Sequence, residues 1–184
     1  ADPVPMEGDI RLRSATLEMK EMIAILYKAS EDSEADADPT KYANVAERGV
    51  LLYKTAELAA TRDPAKAFET VILEYKASEG RYVGRTAGIS AKDMGNVQYA
   101  VAYMKMTDGS YIFGTKDGAD QVIEYSPRQY CENMVGKAST PVKVKQLCHA
   151  MMQYGAAAQV DQLKQTTGLM NEGFAAVPYD ESVL

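Results

Sequence analysis

The clearest pattern of apolar and polar positions lies in residues 97–113 and is typical of a β-hairpin. Its first half carries apolar side chains at every second position, which are Val97, Tyr99, Val101 and Tyr103. A period of two is expected where one face of a strand is buried. Asp108-Gly109 can supply the positive backbone angles of a tight turn, so residues 111–113 are predicted to form the returning strand. Residues 122–125 can add one more strand.

Weaker alternation upstream of the hairpin indicates further strands. Apolar residues keep to one face in residues 17–27, although Glu21 interrupts them and the many helix formers make a helix the competing interpretation. We favour a strand there. Residues 45–54 are predicted to form a second strand, with a bulge or a close backbone approach at Gly49.

Turn and cap residues divide the segment between these strands and the hairpin. Asp63-Pro64 predicts the N-cap and first turn of a short helix over residues 65–70. Residues 71–75 and 81–86 are then predicted to form short strands around a turn at Glu79-Gly80.

Capping signals mark two helices near the C-terminus. Ser126 is a typical N-cap, Pro127 suits the first helical position, and Gln129 can complete a capping box. Gly136 is placed to end this helix, and Thr140-Pro141 begins the next. The second helix is predicted to bury an apolar stripe at helical spacing, which consists of Val144, Leu147, Met151, Tyr154 and Ala158.

Strands first and helices last predict the α+β class. We expect an antiparallel β-sandwich, immunoglobulin- or fibronectin-like, closed by a C-terminal helical hairpin. The sandwich is expected to span residues 10–126, with residues 127–184 forming helices and a tail packed on the same domain. Extended and turn structure is expected over residues 168–184, because Pro178 bars a regular helix. Residues 1–9 lack periodicity and are assigned to a linker or cloning remnant.

Composition indicates a globular protein with an acidic surface. A chain of 184 residues can form one well-cored domain, or one domain with a small appendage. Its content of 46% hydrophobic and 25% charged residues is atypical of disorder. No apolar run reaches the roughly 20 residues of a membrane span. The net charge of −6 argues against a nucleic-acid partner, which requires clustered Lys and Arg. Without a typical signal peptide, the chain is expected to be cytosolic or a mature fragment.

The sequence offers little that resembles catalytic chemistry, and we expect no enzyme. The single histidine, His149, follows Cys148 on a predicted helix. Neighbouring helical positions point about 100° apart, so the two side chains cannot readily act as base and nucleophile. No nucleophile elbow, phosphate-binding loop or Cys-x-x-Cys pair occurs. A structural or surface role for His149 is therefore the favoured interpretation.

An acidic loop is the one pattern that suggests a metal. Carboxylates occupy alternate positions as the first ligands of a calcium loop would, at Asp32, Glu34, Asp36 and Asp38. However, Ala37 stands where such a loop needs glycine, and Ala43 where it needs a bidentate glutamate. A solvated acidic loop is therefore favoured, with calcium as the minor alternative and no other cofactor expected.

The two cysteines fall on the two predicted C-terminal helices. A short connection between these helices can bring Cys131 and Cys148 within bridging distance. Closing this loop would stabilise an extracellular protein by roughly 3 kcal/mol. The equal alternative is a pair of buried thiols that pack as small apolar groups.

Tyrosines on the hairpin suggest a ligand surface. The chain has 12 tyrosines and no tryptophan, and Tyr99, Tyr103 and Tyr111 lie on or beside the hairpin. Aromatic faces on a sheet can stack against sugar rings. More often such residues line a half-buried sheet, and the absence of tryptophan also weakens the carbohydrate interpretation.

Several of these segments together resemble a known kind of domain. The motifs are ISAKDMGNVQYAVAYMKMTDGSYIF, YSPRQYCENM and QLCHAMMQYGAAAQ, with support from ATLEMKEMIAILYK, AERGVLLYK and TTGLMNEGFAAVPYDESVL. They resemble a recurring domain of large secreted or surface-associated proteins of anaerobic gut Firmicutes (Clostridia), over most of residues 14–184. The chain departs from that family at Val160-Asp161-Gln162, where aromatic residues are usual. The resemblance implies β-rich modules, strung between other surface domains, and no catalytic residues.

Two functions follow as expectations. The first is a non-enzymatic extracellular or cell-surface module, acting as a spacer or as an adhesive protein-binding domain of a longer secreted chain. The second is a carbohydrate-binding module that uses the tyrosine-bearing sheet face. Both expect a protein or glycan ligand and neither expects a membrane span.

Overall fold

Strands occupy the chain up to residue 125 and the two longer helices follow, which confirms the α+β class. The structure, a computed structural model, describes residues 10–31 and 44–174. The described chain divides into two compact units. Unit 1 holds residues 10–19, 24–87 and 97–125, apart from the gap just given, and unit 2 holds residues 20–23, 88–96 and 126–174.

The strands are numbered in chain order. They are β1 (Arg11–Met19), β2 (Ile23–Ser30), β3 (Val45–Tyr53), β4 (Glu69–Ile72), β5 (Glu74–Lys76), β6 (Arg81–Arg85), β7 (Gln98–Met106), β8 (Tyr111–Phe113), β9 (Thr115–Lys116), β10 (Ala119–Asp120) and β11 (Ile123–Tyr125). The helices are α1 (Ala56–Thr61), α2 (Pro127–Gly136) and α3 (Val142–Leu163), with short 3-10 turns at Pro64–Lys66 and Ala91–Asp93.

The strands form two main sheets and one small hairpin. The first sheet has the order β1-β2-β6-β5, and the second has the order β11-β7-β3-β4 with β8 paired to β7. The pairings of β2 with β6, β5 with β6, β3 with β4 and with β7, and β7 with β8 and β11 are antiparallel. Within the described residues, strands β9 and β10 pair only with each other. Side chains of the two main sheets meet where the Tyr27 hydroxyl donates to Gln98 Oε1 at 3.3 Å.

The predicted β7–β8 hairpin is confirmed. Tyr103 lies opposite Phe113, and Met104 lies opposite Ile112. Gly109 has φ +88°, a left-handed conformation that glycine adopts without steric cost, so the turn forms as the sequence indicates. The predicted strand at the end of unit 1 is also present as β11, paired to β7.

The predicted single strand over residues 17–27 is wrong in its extent. The chain bends at residues 20–22, so β1 ends at Met19 and β2 begins at Ile23. A hydrogen bond from the Lys20 amide to the Met22 carbonyl, 3.3 Å long, tightens this bend. Glu21, which interrupts the apolar alternation, is the middle residue of the bend. The rival helix is wrong as well, because every regular residue of this stretch is strand.

The close backbone approach predicted at Gly49 is confirmed. A β-carbon added at Gly49 would lie 2.5 Å from the Tyr103 hydroxyl oxygen and 2.6 Å from two ring carbons. The register shift in β3 lies elsewhere, between Val45 and Glu47. The Tyr103 ring of the paired strand β7 therefore covers the backbone at Gly49, as aromatic residues are known to do beside glycines in sheets.

The predicted helix over residues 65–70 is wrong in length. Only Pro64–Lys66 turns, with the Asp63 side chain accepting from the Ala65 amide at 3.0 Å. The next residues enter β4, where pairing with β3 satisfies their backbone groups and overrides local propensity. A helix that the sequence analysis did not predict, α1, precedes this turn and is capped by Thr55.

The predicted starts and end of the C-terminal helices are confirmed. The Ser126 hydroxyl accepts from the Gln129 amide at 3.1 Å, and Pro127 is the first residue of α2, which ends at Gly136. Helix α3 begins directly after Pro141. The predicted extended and turn structure is seen over residues 168–174, and residues 175–184 lie outside the described chain.

The predicted buried stripe of α3 is wrong for two of its five members. Leu147 and Tyr154 are 47% and 69% exposed. Burial instead centres on small, sulfur-containing and amide side chains, which are Cys148, Met151, Met152, Gly155, Ala156, Ala158 and Gln159. Small residues let neighbouring backbone approach α3 closely on that side, so the larger Leu147 and Tyr154 are left outside.

Unit 2 packs its last described segment against α3. Met170 is 1% exposed, and its amide donates to Gln159 Oε1 at 2.8 Å. A β-carbon added at Gly155 would lie 1.9 Å from Met170 Sδ and 3.0 Å from the Ala91 carbonyl oxygen. Gly155 thus creates the space that Met170 fills.

Within the described part of the chain, no helix combines the length and apolar character needed to cross a bilayer.

Candidate functional site

The structure separates the three tyrosines proposed to bind a ligand. Tyr103 is only 1% exposed, so the expectation that it presents an open ring face is wrong. Its ring belongs to a buried cluster with Leu51 and Val101 of the sheet and Ala59 of α1. The sheet face that carries Tyr103 is covered by α1 and is not open to solvent at that point.

Tyr103 is held by a hydrogen bond as well as by packing. Its hydroxyl donates to Glu47 Oε1 across the strand pair. Burial, followed by this hydrogen bond to a carboxylate, raises the pKa of Tyr103. Tyr53, in the same cluster, donates to the Asp63 carbonyl at 3.0 Å, and burial raises its pKa to about 12. Both phenols are therefore neutral structural donors at physiological pH.

Tyr99 and Tyr111 remain half-buried at the margin of this cluster. Tyr111 stacks on Phe113 with ring centroids 5.8 Å apart and planes 13° apart. Two cations flank the stacked pair: Lys105 Nζ lies 5.7 Å from the Tyr111 ring centre, and Arg62 Cζ lies 5.8 Å from that of Phe113. Phe113 was not singled out from the sequence, although it lies two residues after Tyr111 and so on the same face of β8.

The proposed calcium ligands cannot be placed. Asp32, Glu34, Asp36 and Asp38 lie in residues 32–43, outside the described chain. Among residues 10–31 and 44–174, no group of three or more His, Cys, Asp or Glu side chains is arranged to hold a metal ion.

The structure brings Cys131 and Cys148 together. Both are free thiols, both are fully buried, and they hydrogen-bond to each other between α2 and α3. This hydrogen bond, with burial, raises the pKa of Cys131. The same contact lowers the pKa of Cys148, because a neighbouring thiol stabilises its thiolate. The two residues thus lie side by side as unbridged thiols.

His149, the neighbour of Cys148, contacts its own helix. Its ring is half-buried, and Nε2 lies 3.5 Å from Gln153 Nε2 one turn further along α3. Cys148 contacts Cys131 of α2.

An open pocket of about 370 Å³ lies in unit 2, between α2 and the last described segment. Arg128 dominates it: its guanidinium is 3.3 Å from Glu132, donates to the Glu172 carbonyl at 2.9 Å and lies 5.8 Å from the Phe174 ring centre. The arginine is therefore occupied in joining the pocket walls.

One face of α3 remains exposed and apolar. Leu147, Ala150, Tyr154 and Ala157 follow one another at spacings of three and four residues, so they share one side of the helix, and all are exposed. We refer to these four residues as the exposed α3 row. Two of them, Leu147 and Tyr154, belong to the apolar stripe that was predicted from the sequence.

Unit 1 contains a buried ion pair that was not predicted from the sequence. Glu31 is 1% exposed and pairs with the guanidinium of Arg48, which also lies 4.7 Å from the Tyr82 ring centre. Burial, then the charge of Glu31, raises the pKa of Tyr82. The sequence held one signal: period two places Arg48 on the same strand face as Val50 and Leu52, where a charge is unexpected.

Comparison of the chain with protein-family models, with curated proteins and with solved structures finds no match in any of the three.

Proposed function

We propose that the chain is a non-enzymatic module of a larger secreted or cell-surface protein, and that it binds a protein partner through the exposed α3 row. The extracellular address rests on the resemblance to surface proteins of gut Firmicutes. We further propose that unit 1 is an immunoglobulin- or fibronectin-like sandwich, which is supported by its two main sheets and by the Tyr27–Gln98 contact.

The observation that carries the proposal is the exposure of large apolar side chains on a regular helix. Tyr154 is 69% exposed and Leu147 is 47% exposed, and two alanines continue the row without an intervening charge. Tyrosine and leucine presented on a rigid helix, beside small residues that allow close approach, suit an apolar groove or helix of another protein. Single exposed apolar residues are common, but four aligned on one helix face favour recognition.

The test replaces the two large side chains of the row. Purified wild-type chain is used to capture proteins from host mucosal and dietary extracts, and each captured protein is then purified and titrated against three forms of the chain. We expect Leu147→Lys/Tyr154→Lys to weaken binding at least about tenfold, as loss of a central apolar anchor does. The charge-matched control, Gln162→Lys/Thr166→Lys, changes two exposed positions outside the row and should bind as the wild type does.

Two results would count against this proposal. One is that no captured protein binds the purified wild-type chain in titration. The other is that the row variant and the charge-matched control bind equally well.

The Tyr111–Phe113 stack favours a second candidate, carbohydrate binding. Two nearly parallel, half-exposed rings form a narrow platform, which differs from the three-tyrosine surface expected from the sequence because Tyr103 is buried. Glycan-array binding that is lost in Tyr111→Ala and kept in Tyr75→Ala, a partly exposed tyrosine of β5, would support it. An array without any bound glycan would eliminate it.

A further inference from the structure

Cys131 and Cys148 are in contact within unit 2. Cys131 lies in the second turn of α2 and Cys148 in the second turn of α3, and residues 137–141 connect the two helices. Each thiol is fully buried, and each is the other's hydrogen-bond partner. A disulfide requires closely spaced α-carbons and β-carbons that point toward each other, and two side chains in thiol–thiol contact between packed helices already approach that geometry.

We propose that Cys131 and Cys148 form a reversible disulfide that joins α2 to α3, with a low-molecular-weight disulfide such as oxidised glutathione as the oxidant. This site goes beyond the proposed binding function and does not depend on it. The bond is an alternative to the free dithiol, so the redox state of the surroundings sets which form is populated.

The reaction balances as two thiol–disulfide exchanges. The Cys148 thiolate attacks one sulfur of the oxidised glutathione, which forms a mixed disulfide and releases one glutathione thiolate. The Cys131 thiolate then attacks the Cys148 sulfur and releases the second glutathione thiolate. Both leaving groups take up the protons that the cysteines lost. The net result is that two cysteine thiols are oxidised to one disulfide while one glutathione disulfide is reduced to two thiols.

Two features of the site favour this order of events. The contact with Cys131 lowers the pKa of Cys148, so Cys148 is the thiol that ionises first and attacks. Because both sulfurs are buried, the first exchange requires α2 to open locally from α3, whereas the second needs only that the helices close again. The buried disulfide should then be slow to reduce in the folded chain.

The experiment uses the full chain in glutathione buffers. Reduced protein is equilibrated at a series of reduced-to-oxidised glutathione ratios, in urea below the unfolding transition so that local opening is frequent. Each sample is acid-quenched, denatured and alkylated, and its intact mass and peptide map are measured. We expect a species that resists alkylation, lighter by about 2 Da for the two hydrogens lost. Its peptide map should contain a cross-link between the Cys131 and Cys148 peptides.

Thermal unfolding supplies a second readout. The oxidised chain should unfold roughly 6 to 12 °C above the reduced chain. The cross-link restricts the unfolded chain and so raises the free energy of unfolding, which in a chain of this size raises the unfolding temperature by several degrees. The variant Cys131→Ala/Cys148→Ala should unfold at one temperature in both buffers. If that variant does not fold, the peptide map of the wild-type chain still shows whether the disulfide between Cys131 and Cys148 forms.

Three outcomes would overturn the proposal. The first is that both cysteines stay alkylatable across all glutathione ratios. The second is that glutathione adducts accumulate on one or both cysteines in place of the internal bond. The third is that the internal bond forms but leaves the unfolding temperature unchanged or lower.

Discussion

The interiors of the two units use different chemistry to fix their packing. Unit 1 is held by directional contacts: Arg48 pairs with Glu31, and the buried Tyr103 hydroxyl donates to Glu47. Unit 2 is filled by sulfur and small side chains, with Met170 set against Gly155. Ion pairs and phenol hydrogen bonds accept few geometries, whereas methionine adapts to irregular gaps. We therefore expect unit 1 to tolerate interior substitutions less well than unit 2.

The substitution with the largest expected effect on stability breaks the ion pair of unit 1. Arg48→Met should lower the free energy of unfolding by about 3–5 kcal/mol at pH 7, because it leaves the buried Glu31 carboxylate without its guanidinium partner. Urea unfolding measures the loss.

The control for this variant is Arg85→Met. Arg85 is 58% exposed and pairs with Glu18 at 2.7 Å, so its loss should cost less than about 1 kcal/mol. Equal effects of the two substitutions would contradict the role given to the buried pair.

A second test fills the glycine gap of unit 1. Gly49→Ala should cost about 1–3 kcal/mol, because the new methyl group overlaps the Tyr103 ring, which is fixed by packing and by its hydrogen bond. Combining it with Tyr103→Leu should cost less than the sum of the two single changes, since the overlap disappears. If the free-energy costs of the two substitutions are strictly additive in urea unfolding, this explanation is wrong.

The equivalent change in unit 2 should be milder. In Gly155→Ala the new methyl group meets Met170 Sδ, near the end of a flexible side chain, and stays 3.0 Å from the Ala91 carbonyl oxygen, so we expect a cost of about 1 kcal/mol. Gly136→Ala, where an added methyl group meets nothing within 4 Å, should instead stabilise by roughly 0.4–1 kcal/mol. If Gly155→Ala proves more costly than Gly49→Ala, the contrast between the units fails.

The smallest expected effect concerns an exposed contact of unit 1. Hydrogen bonds from Lys28 and Lys76 lower the pKa of Glu79 from 4.5 to about 2. A carboxyl whose pKa is lowered on folding stabilises above its unfolded pKa, and this contribution is lost as the pH falls from about 5 to about 2. Thermal unfolding of wild type and Glu79→Gln should therefore differ slightly at pH 6 and converge near pH 2. A difference in unfolding temperature that persists at pH 2 would show that the Glu79 carboxylate is not its cause.

The parts of the fold that follow local chemistry could be predicted from the sequence. Gly109 turns the β7–β8 hairpin because glycine adopts its positive φ, and Ser126 caps α2 because its hydroxyl reaches the Gln129 amide. These signals involve residues within a few positions of one another, so no tertiary information is needed.

The parts that depend on distant neighbours could not be predicted. The alternation along β7 suggested that only one face of the strand is buried. However, Ala100 and Ala102, on the face opposite Tyr103, are also buried, so both faces of the strand are covered. Likewise, ranking α3 residues by hydrophobicity favoured Leu147 and Tyr154. The buried side of α3 is instead the side where small residues let neighbouring backbone approach the helix closely. The sequence does not indicate which backbone segment lies there.

The order in which the chain is synthesised gives unit 2 a disadvantage that unit 1 does not share. Unit 1 has all its described strands once residue 125 has left the ribosome, and domains generally fold as they emerge. Gly88–Asn96, by contrast, belongs with helices that are made later, and Met170 comes last. We expect ribosome-bound chains from which residue 125 has just emerged to hold a protease-resistant unit 1 beside a protease-sensitive segment 88–96. The vulnerable interval in biogenesis is then the time between the emergence of Tyr125 and the emergence of Met170 from the ribosome.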